Sequence, residues 1–325
     1  MQQKDKTLNQ DEEYEKLKAS KFKQQKLPAW RPVPTITSTT ITFVAFGVVF
    51  IVIGIVVLVY SKKIVEISYR YDEECQNSSN NICEIKLTIP KPMQQPIMMY
   101  YQLDNFYQNH RRYVKSKSDL QLDGEYISLK KIKDSGDCEP VETNQEMEKN
   151  ISLSGDILNP NEVAVPCGLI AKSFFNDTYQ LKNEKGEPIT IDESNIAWEA
   201  DKKLKYKNVK DPNGKDDEFY KKVQWIDMRD EHFIVWMRPA GLPNFRKLWG
   251  RIRQDLPEGE YTVMIEDNFK VSAFKGRKHI VLSTVNAFGG KNTFLGVSYV
   301  VVGGICIVLA LIFLIGYQIH QRKEK

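Results

Sequence analysis

The sequence predicts a two-span α-helical membrane protein with a large β-dominated ectodomain, antiparallel and sandwich-like, that carries short helical inserts. Two uncharged apolar blocks, 41–60 and 294–317, are long enough as helices to cross a bilayer core of about 30 Å. The region between them, 61–293, contains segments that alternate apolar and polar residues and holds four of the five cysteines. This concentration of apolar residues excludes a soluble, collagenous or wholly disordered chain.

The N-terminal tail, residues 1–40, and the C-terminal tail, residues 318–325, carry the net positive charge of the chain. They hold eight and three Lys or Arg against five and one Asp or Glu, which sums to +5, whereas region 61–293 holds 35 basic and 36 acidic side chains. The positive-inside rule therefore predicts two cytosolic tails. The balanced charge of region 61–293 argues against a nucleic-acid partner.

The N-terminal tail ends in a segment that contains Leu27, Pro28, Trp30 and Arg31. Proline keeps the chain extended as it enters the membrane. We interpret these four residues as a docking strand for the cytosolic side of a partner. In the alternative interpretation, Trp30 sits at the lipid headgroups and the preceding lysines contact anionic lipid.

The two apolar blocks are predicted to be permanent membrane helices that pack through small residues. Forty residues precede the first block and no small-x-small cleavage site follows it, so a cleaved signal peptide is not expected. Small residues recur every seven positions in each block and therefore share one face, where another helix can approach closely. The packing residues are Gly47, Gly54, Gly296, Gly303 and Ala310. Mutual packing of the two spans and packing against another protein are equally compatible with this pattern.

Cysteines and glycosylation signals both indicate that region 61–293 lies in the lumen or outside the cell. An even set of four cysteines fits two disulfides with three connectivities, of which we favour Cys75 with Cys83 and Cys138 with Cys167. A zinc site is disfavoured because CxxC units are missing and the chain has four His. The region also contains three N-x-[ST] acceptors, at Asn77, Asn150 and Asn176.

Five segments of the ectodomain are predicted to be strands and one a helix. Period-two or β-branched patterns occur at Ile82–Ile89, Ile97–Leu103, Phe233–Met237, Tyr261–Glu266 and His279–Val285. The apolar residues of Phe245–Ile252 instead follow the i, i+3, i+4, i+7 spacing of a helix. Segment 181–222 is rich in charge and is predicted to form surface excursions.

We identify no catalytic residues, metal ligands or cofactor motif in the sequence. GxGxxG, Walker, HExxH and GxSxG signatures are missing, and the paired carboxylates of the ectodomain are typical of a solvated face. The run 105–113 instead interleaves aromatic, amide and guanidinium groups, a mixture typical of interface hot spots. Its candidate partner-binding residues are Phe106, Tyr107, His110, Arg111, Arg112 and Tyr113. An internal hydrogen-bonded network that holds a turn explains the run equally well.

Several long blocks, taken in order, resemble the cell division control protein 50 or ligand-effect modulator family, the accessory beta subunits of type IV P-type ATPases. The blocks are Phe22–Trp30, Tyr100–Val114, Pro166–Gly168, Phe175–Thr178, Ile196–Trp198, Phe233–Arg238, Leu242–Leu248 and Leu282–Asn292. Many members of that family carry four cysteines before the first strands of the ectodomain, whereas this chain has only Cys75 and Cys83 there.

The resemblance implies a noncatalytic subunit, in an approximately 1:1 heterodimer with the ATPase, that supports its folding, its exit from the endoplasmic reticulum and its conformational cycle. ATP and Mg would belong to the partner, which moves phospholipid toward the cytosolic leaflet. It also implies contact with membrane lipids and a location in the endoplasmic reticulum, Golgi, endosomes or plasma membrane. From the residues alone, a stand-alone glycoprotein receptor or adhesion protein is the alternative.

Overall fold

The computed structural model describes residues 14–26, 34–76 and 81–323. These residues divide into two compact units, one within Met1–Val56 and Phe294–Lys325 and the other Val57–Thr293. We call the second unit the β domain. The predicted fold class is confirmed, since two apolar helices flank an antiparallel β domain with short helices.

The two long helices are α1 (Ile36–Lys62) and α11 (Thr293–Lys323), and both are long and apolar enough to cross a membrane. Each extends beyond its apolar block. Most of their side chains are exposed in the described chain, as expected for helices that face lipid instead of a protein core.

The β domain consists of two four-stranded antiparallel sheets, with orders β1-β8-β3-β6 and β2-β7-β4-β5. The strands are β1 (Glu66–Arg70), β2 (Ile82–Ile89), β3 (Ile97–Asp104), β4 (Thr178–Lys182), β5 (Pro188–Ile189), β6 (Phe245–Ile252), β7 (Gly259–Glu266) and β8 (Arg277–Thr284). Alternate side chains of β2, β3 and β7 are buried, and they meet in one hydrophobic core. The Tyr179 ring of β4 reaches the Trp249 ring of β6 at 5.0 Å, so this core spans both sheets.

Short helices fill the long connections between strands. They are α2 (Asp72–Cys75), α3 (Arg111–Lys115), α4 (Asp119–Leu122), α5 (Leu129–Ser135), α6 (Asn144–Met147), α7 (Leu169–Lys172), α8 (Glu199–Leu204), α9 (Phe219–Val223) and α10 (Glu231–Met237), with a 3-10 turn at Ser272–Phe274. Segment 181–222 is less peripheral than predicted, because Tyr206 and Val209 belong to the buried core.

The segment Phe233–Met237 was predicted to be a strand, and this prediction is wrong because it lies in helix α10. The Asp230 carboxylate caps this helix by accepting hydrogen bonds from the backbone N–H groups of His232 and Phe233 at 2.7 and 3.2 Å. Four residues of the helix are buried, so the run is apolar around most of its circumference and shows no helical period.

The segment Phe245–Ile252 was predicted to be a helix, and this prediction is also wrong because the segment is strand β6. Its pairing with β3 contains a bulge, since Met99 pairs with Gly250 and Tyr100 with Leu248. A bulge adds one residue and reverses the alternation, so the apolar spacing imitates a helix. Lys247 is buried on the inward face and conceals the period further.

Candidate functional site

The two disulfides hold the long connections of the β domain together. The structure pairs Cys75 at the end of α2 with Cys83 in β2, and Cys138 with Cys167, with Cα–Cα distances of 5.3 and 5.7 Å. Cys306 in α11 is a free cysteine.

The segment at Cys167 approaches the chain near Ser116 very closely. Gly168 has φ +101°, and a Cβ there would collide with the Ser116 carbonyl oxygen, so the position requires glycine. Gln121 is fully buried and accepts a hydrogen bond from the Cys167 N–H at 2.9 Å, while its amide donates to Ala164 O at 3.1 Å. Ser116 and Gln121 could not be singled out from the sequence, because their roles depend on residues about 50 positions away.

Three of the nine residues in the candidate run 105–113, namely Phe106, Gln108 and Tyr113, are partly or fully buried in the β domain. The Phe106 ring lies 5.8 Å from the Tyr113 ring and 5.6 Å from that of Trp236, and its backbone N–H donates to Pro243 O at 3.0 Å. Tyr113 shares a hydrogen bond of 2.7 Å with the Ser173 hydroxyl, and burial raises the pKa of its phenol to about 12. Phe106 and Tyr113 therefore support the turn.

The other six residues of the run are exposed. Tyr107 is 57% exposed, and His110, Arg111 and Arg112 are exposed around the start of α3. Among the residues that the structure describes, neither arginine has an acidic partner within 4.0 Å. This exposed part, which we call the arginine turn (Tyr107, His110, Arg111 and Arg112), keeps its hydrogen-bonding groups available for another molecule.

The predicted packing residues of the two long helices face each other. A Cβ on Gly47 would lie 3.1 Å from Gly303 O, and one on Gly54 would lie 2.9 Å from Gly296 O. Ala310 is buried in the same unit, at 1% exposure. Of the two alternatives left open by the sequence, the structure has α1 and α11 packed on each other, and we call this contact the glycine seam.

Four predicted docking residues of the tail, Leu27, Pro28, Trp30 and Arg31, lie outside the described residues, as does the acceptor Asn77. The other two acceptors, Asn150 and Asn176, are exposed. Asp177, which follows Asn176, is fully buried and belongs to a charged cluster in the core.

This cluster, which we call the lysine lock, consists of Lys278, Asp177 and Asp267. The Lys278 amine is 1% exposed and donates to Asp177 Oδ2 at 2.6 Å, to Phe269 O at 2.7 Å and to Asp267 Oδ1. Asp177 also accepts from the Tyr71 hydroxyl at 2.7 Å, and burial raises the pKa of that phenol well above its usual value. The lock links β8 of one sheet to segments that flank β4 and β7 of the other.

A second buried amine, Lys247 of β6, closes the end of helix α10. It donates to Val235 O, Trp236 O and Arg238 O at 2.8, 2.8 and 2.6 Å, which satisfies carbonyl groups that the helix leaves unpaired. Burial, with a smaller contribution from the charge of Arg238, lowers the pKa of this amine to about 7.

One groove of the β domain has a volume of about 890 Å³ and is lined by Leu120, Asp201, Leu204 and Arg238, among others. The buried Asp201 carboxylate lies 3.0 Å from Arg238 Nε and 3.3 Å from Lys205 Nζ. Its charge is therefore already compensated. Among the described residues, no group of three or more His, Cys, Asp or Glu could hold a metal ion.

Comparisons with known proteins agree in one family. The family model described as "LEM3 (ligand-effect modulator 3) family / CDC50 family" matches residues 57–323. ALA-interacting subunit 3 of Arabidopsis thaliana is 40% identical over 94% of this chain and 87% of its own length. Cell cycle control protein 50A of Mus musculus is 38% identical, covering 90% and 87%, and cell cycle control protein 50B of Homo sapiens is 32% identical, covering 93% and 94%.

Proposed function

Because the chain belongs to the LEM3 (ligand-effect modulator 3) family / CDC50 family, we propose that it is the noncatalytic beta subunit of a type IV P-type ATPase. The ATPase hydrolyses ATP with Mg and moves phospholipid from the outer or lumenal to the cytosolic leaflet. The beta subunit supplies no cofactor and no catalytic residue. The observation that carries this proposal is the family match, which covers the whole β domain and the second long helix.

The subunit forms an approximately 1:1 heterodimer with the ATPase and binds it at three places. The arginine turn of the β domain contacts the lumenal loops of the ATPase, because exposed Tyr and Arg side chains are the groups most enriched at interface hot spots. The outward apolar faces of α1 and α11 contact its membrane helices, since the glycine seam is already occupied. The tail residues Leu27 to Arg31 contact its cytosolic side.

The β domain lies in the lumen or outside the cell, and both tails are cytosolic. The tails carry the positive charge, and the disulfides and the acceptors Asn150 and Asn176 belong to the β domain. The protein works in the endoplasmic reticulum, Golgi, endosomes or plasma membrane. It supports the folding and export of the ATPase and favours those conformations of the transport cycle that it binds more tightly.

Affinity purification of the full chain from its native membranes tests this function. The chain carries a C-terminal tag, mild detergent keeps complexes intact, and mass spectrometry identifies companions in stoichiometric amounts. A large P-type ATPase at about one to one is expected, together with a mobility shift on glycosidase treatment. A glycosylated chain that purifies alone would contradict the proposal and favour a receptor or adhesion protein.

The arginine turn is tested by removing two positive charges there and, as a control, two at another exposed site. Arg111→Ala combined with Arg112→Ala is expected to weaken the affinity for the ATPase about 30-fold or more and so to lower the yield of co-purified ATPase, since hot-spot residues contribute about 2 kcal/mol or more. The control is Lys130→Ala with Lys131→Ala, another adjacent pair of exposed basic residues, in helix α5. Equal yields for the two double variants would contradict the assignment of the arginine turn.

A further inference from the structure

The short connection between β8 and α11 contains an exposed phenylalanine, Phe288. Residues 286–289 form a tight turn in which the Asn286 N–H donates to Gly289 O at 3.1 Å and the Gly289 N–H donates to Asn286 O at 2.9 Å. The Asn286 side chain also accepts from the Phe288 N–H at 2.9 Å. The turn is therefore well braced, yet it presents Phe288 with 59% of its surface exposed.

This turn is bonded to the last turn of helix α1. The Asn286 amide donates to Tyr60 O at 3.0 Å, and the Asn292 N–H donates to the buried Ser61 hydroxyl at 3.1 Å. The rings of Phe288 and Tyr60 lie 5.2 Å apart. Both aromatic residues thus occupy one fixed position at the end of the first apolar helix and just before the second.

Three exposed lysines surround the aromatic pair. Lys62 is the last residue of helix α1, Lys63 follows it, and Lys291 lies two residues before the start of α11. The Lys63 amine lies 5.5 Å from the centre of the Tyr60 ring. Segments 57–65 and 285–293 contain no Asp or Glu, and none of the three lysines forms an ion pair with a described residue. These two segments therefore contribute aromatic and basic side chains and no acidic ones.

Phospholipid headgroups match this surface in both chemistry and position. Aromatic rings at the ends of apolar helices favour the boundary between headgroups and acyl chains, and ammonium groups beside them bind lipid phosphate. Transfer of a Phe side chain from water to an apolar environment is favourable. The exposed Phe288 ring does not gain this free energy in solvent, although hydrogen bonds hold its turn in place.

We propose that Phe288 and Tyr60, together with Lys62, Lys63 and Lys291, form an anchor that binds phospholipid headgroups of the leaflet on the side of the β domain. The rings enter the headgroup boundary and the amines contact phosphate. Phosphate is common to zwitterionic and anionic lipids, so the anchor does not require an anionic headgroup.

Fluorescence quenching by brominated lipids tests the anchor in the full chain, reconstituted in vesicles with the proteins that co-purify with it. Phe288→Trp is compared with Leu242→Trp, which replaces another exposed apolar residue of the β domain, 70% exposed. The wild-type chain, with its five tryptophans, provides the background. Phosphatidylcholine brominated near the glycerol is expected to quench the added signal of Phe288→Trp at least about twofold more than that of Leu242→Trp.

Two further arms identify what covers Phe288. Equal quenching in phosphatidylcholine and in its mixture with phosphatidylserine would indicate that the amines bind the phosphate group. Stronger quenching in the mixture would indicate that the net negative charge of phosphatidylserine also contributes. Either result supports the anchor. The triple variant Lys62→Gln, Lys63→Gln and Lys291→Gln is expected to reduce the quenching. No added quenching for Phe288→Trp, or quenching only after co-purifying proteins are removed, would overturn the proposal, because a protein surface would then cover the ring.

Discussion

Replacement of Lys278 by Met is expected to destabilise the β domain more than any exposed substitution. The Lys278 amine contacts two carboxylates, those of Asp177 and Asp267, and is itself 1% exposed. Met has a similar length and fills most of the same volume, so the main effect is the loss of positive charge between two acidic groups. A buried carboxylate without its counter-charge is costly. Asp177 is fully buried and loses this counter-charge, whereas Asp267 keeps its ion pair with Lys270 at 3.1 Å.

The contacts that remain determine the size of this effect. Removing one partner of a buried ion pair costs about 3–5 kcal/mol. Asp177 still accepts from the Tyr71 hydroxyl and from the N–H groups of Asn268 and Phe269, at 2.7, 2.7 and 2.6 Å. These donors place the expected loss near the lower end, at about 3 kcal/mol, against a typical total of about 5–15 kcal/mol.

Denaturation by urea in mild detergent, followed by tryptophan fluorescence, measures the loss. Lys270→Met is the matched control, because Lys270 binds the same Asp267 at 3.1 Å but its side chain is 56% exposed. An exposed pair contributes about 1 kcal/mol or less. Adding Asp177→Asn to Lys278→Met is expected to recover part of the stability and retains the Asn176 acceptor. Equal losses for the two single lysine variants would refute the reasoning.

Three further predictions follow from other features. The pKa of Lys247 is about 7 in the folded chain and ordinarily 10.5. Between these pH values the unfolded chain binds more protons, so the free energy of unfolding is expected to rise with pH by up to about 1.4 kcal/mol per pH unit. The denaturation midpoint of Lys247→Met should lack this rise, and the same pH dependence in wild type and variant would contradict the assignment. Gly303→Leu is expected to lower the free energy of unfolding by about 1–3 kcal/mol, because the new side chain collides with α1. Gly304→Leu should have the melting temperature of the wild type in detergent, because nothing lies within 4 Å of a Cβ added there. Equal melting temperatures for the two variants would argue against the glycine seam. Cys138→Ser opens a bridge with a sequence separation of 29 residues and is expected to cost about 3–4 kcal/mol and to reduce the amount of mature protein, whereas Cys306→Ser should mature normally. Equal amounts of mature protein for the two variants would contradict the pairing.

The sequence predicted elements correctly where pattern and environment agree. The predicted strand Ile82–Ile89 has the bounds of β2, since its outward positions are polar and its inward positions apolar. The sequence predicted a strand at Phe233–Met237 and a helix at Phe245–Ile252, and the structure has the reverse. A buried helix has no polar face, and a bulge reverses the alternation of a strand. Neither burial nor a bulge can be recognised from the local apolar pattern.

The candidate site was only partly predictable for a related reason. The run 105–113 was singled out by composition, but composition does not separate inward from outward side chains, and the structure divides them between support and exposure. The lysine lock was missed because its members are 90 and 101 residues from Asp177, at Asp267 and Lys278. Charged residues at such separations give no signal until the strands that carry them are paired.

The order of strands in the first sheet also determines when this sheet can be completed during synthesis of the chain. β8 lies between β1 and β3, and Val65 bonds to Thr284, which is 219 residues later in the chain. At about 5–20 residues per second, β1 waits roughly 10–40 s after its own synthesis for this neighbour. During that interval the backbone N–H and C=O groups of β1 lack this partner strand, so the edge is open to pairing with another chain. The missing strand arrives immediately before α11, and completion of the sheet therefore coincides with insertion of the second span.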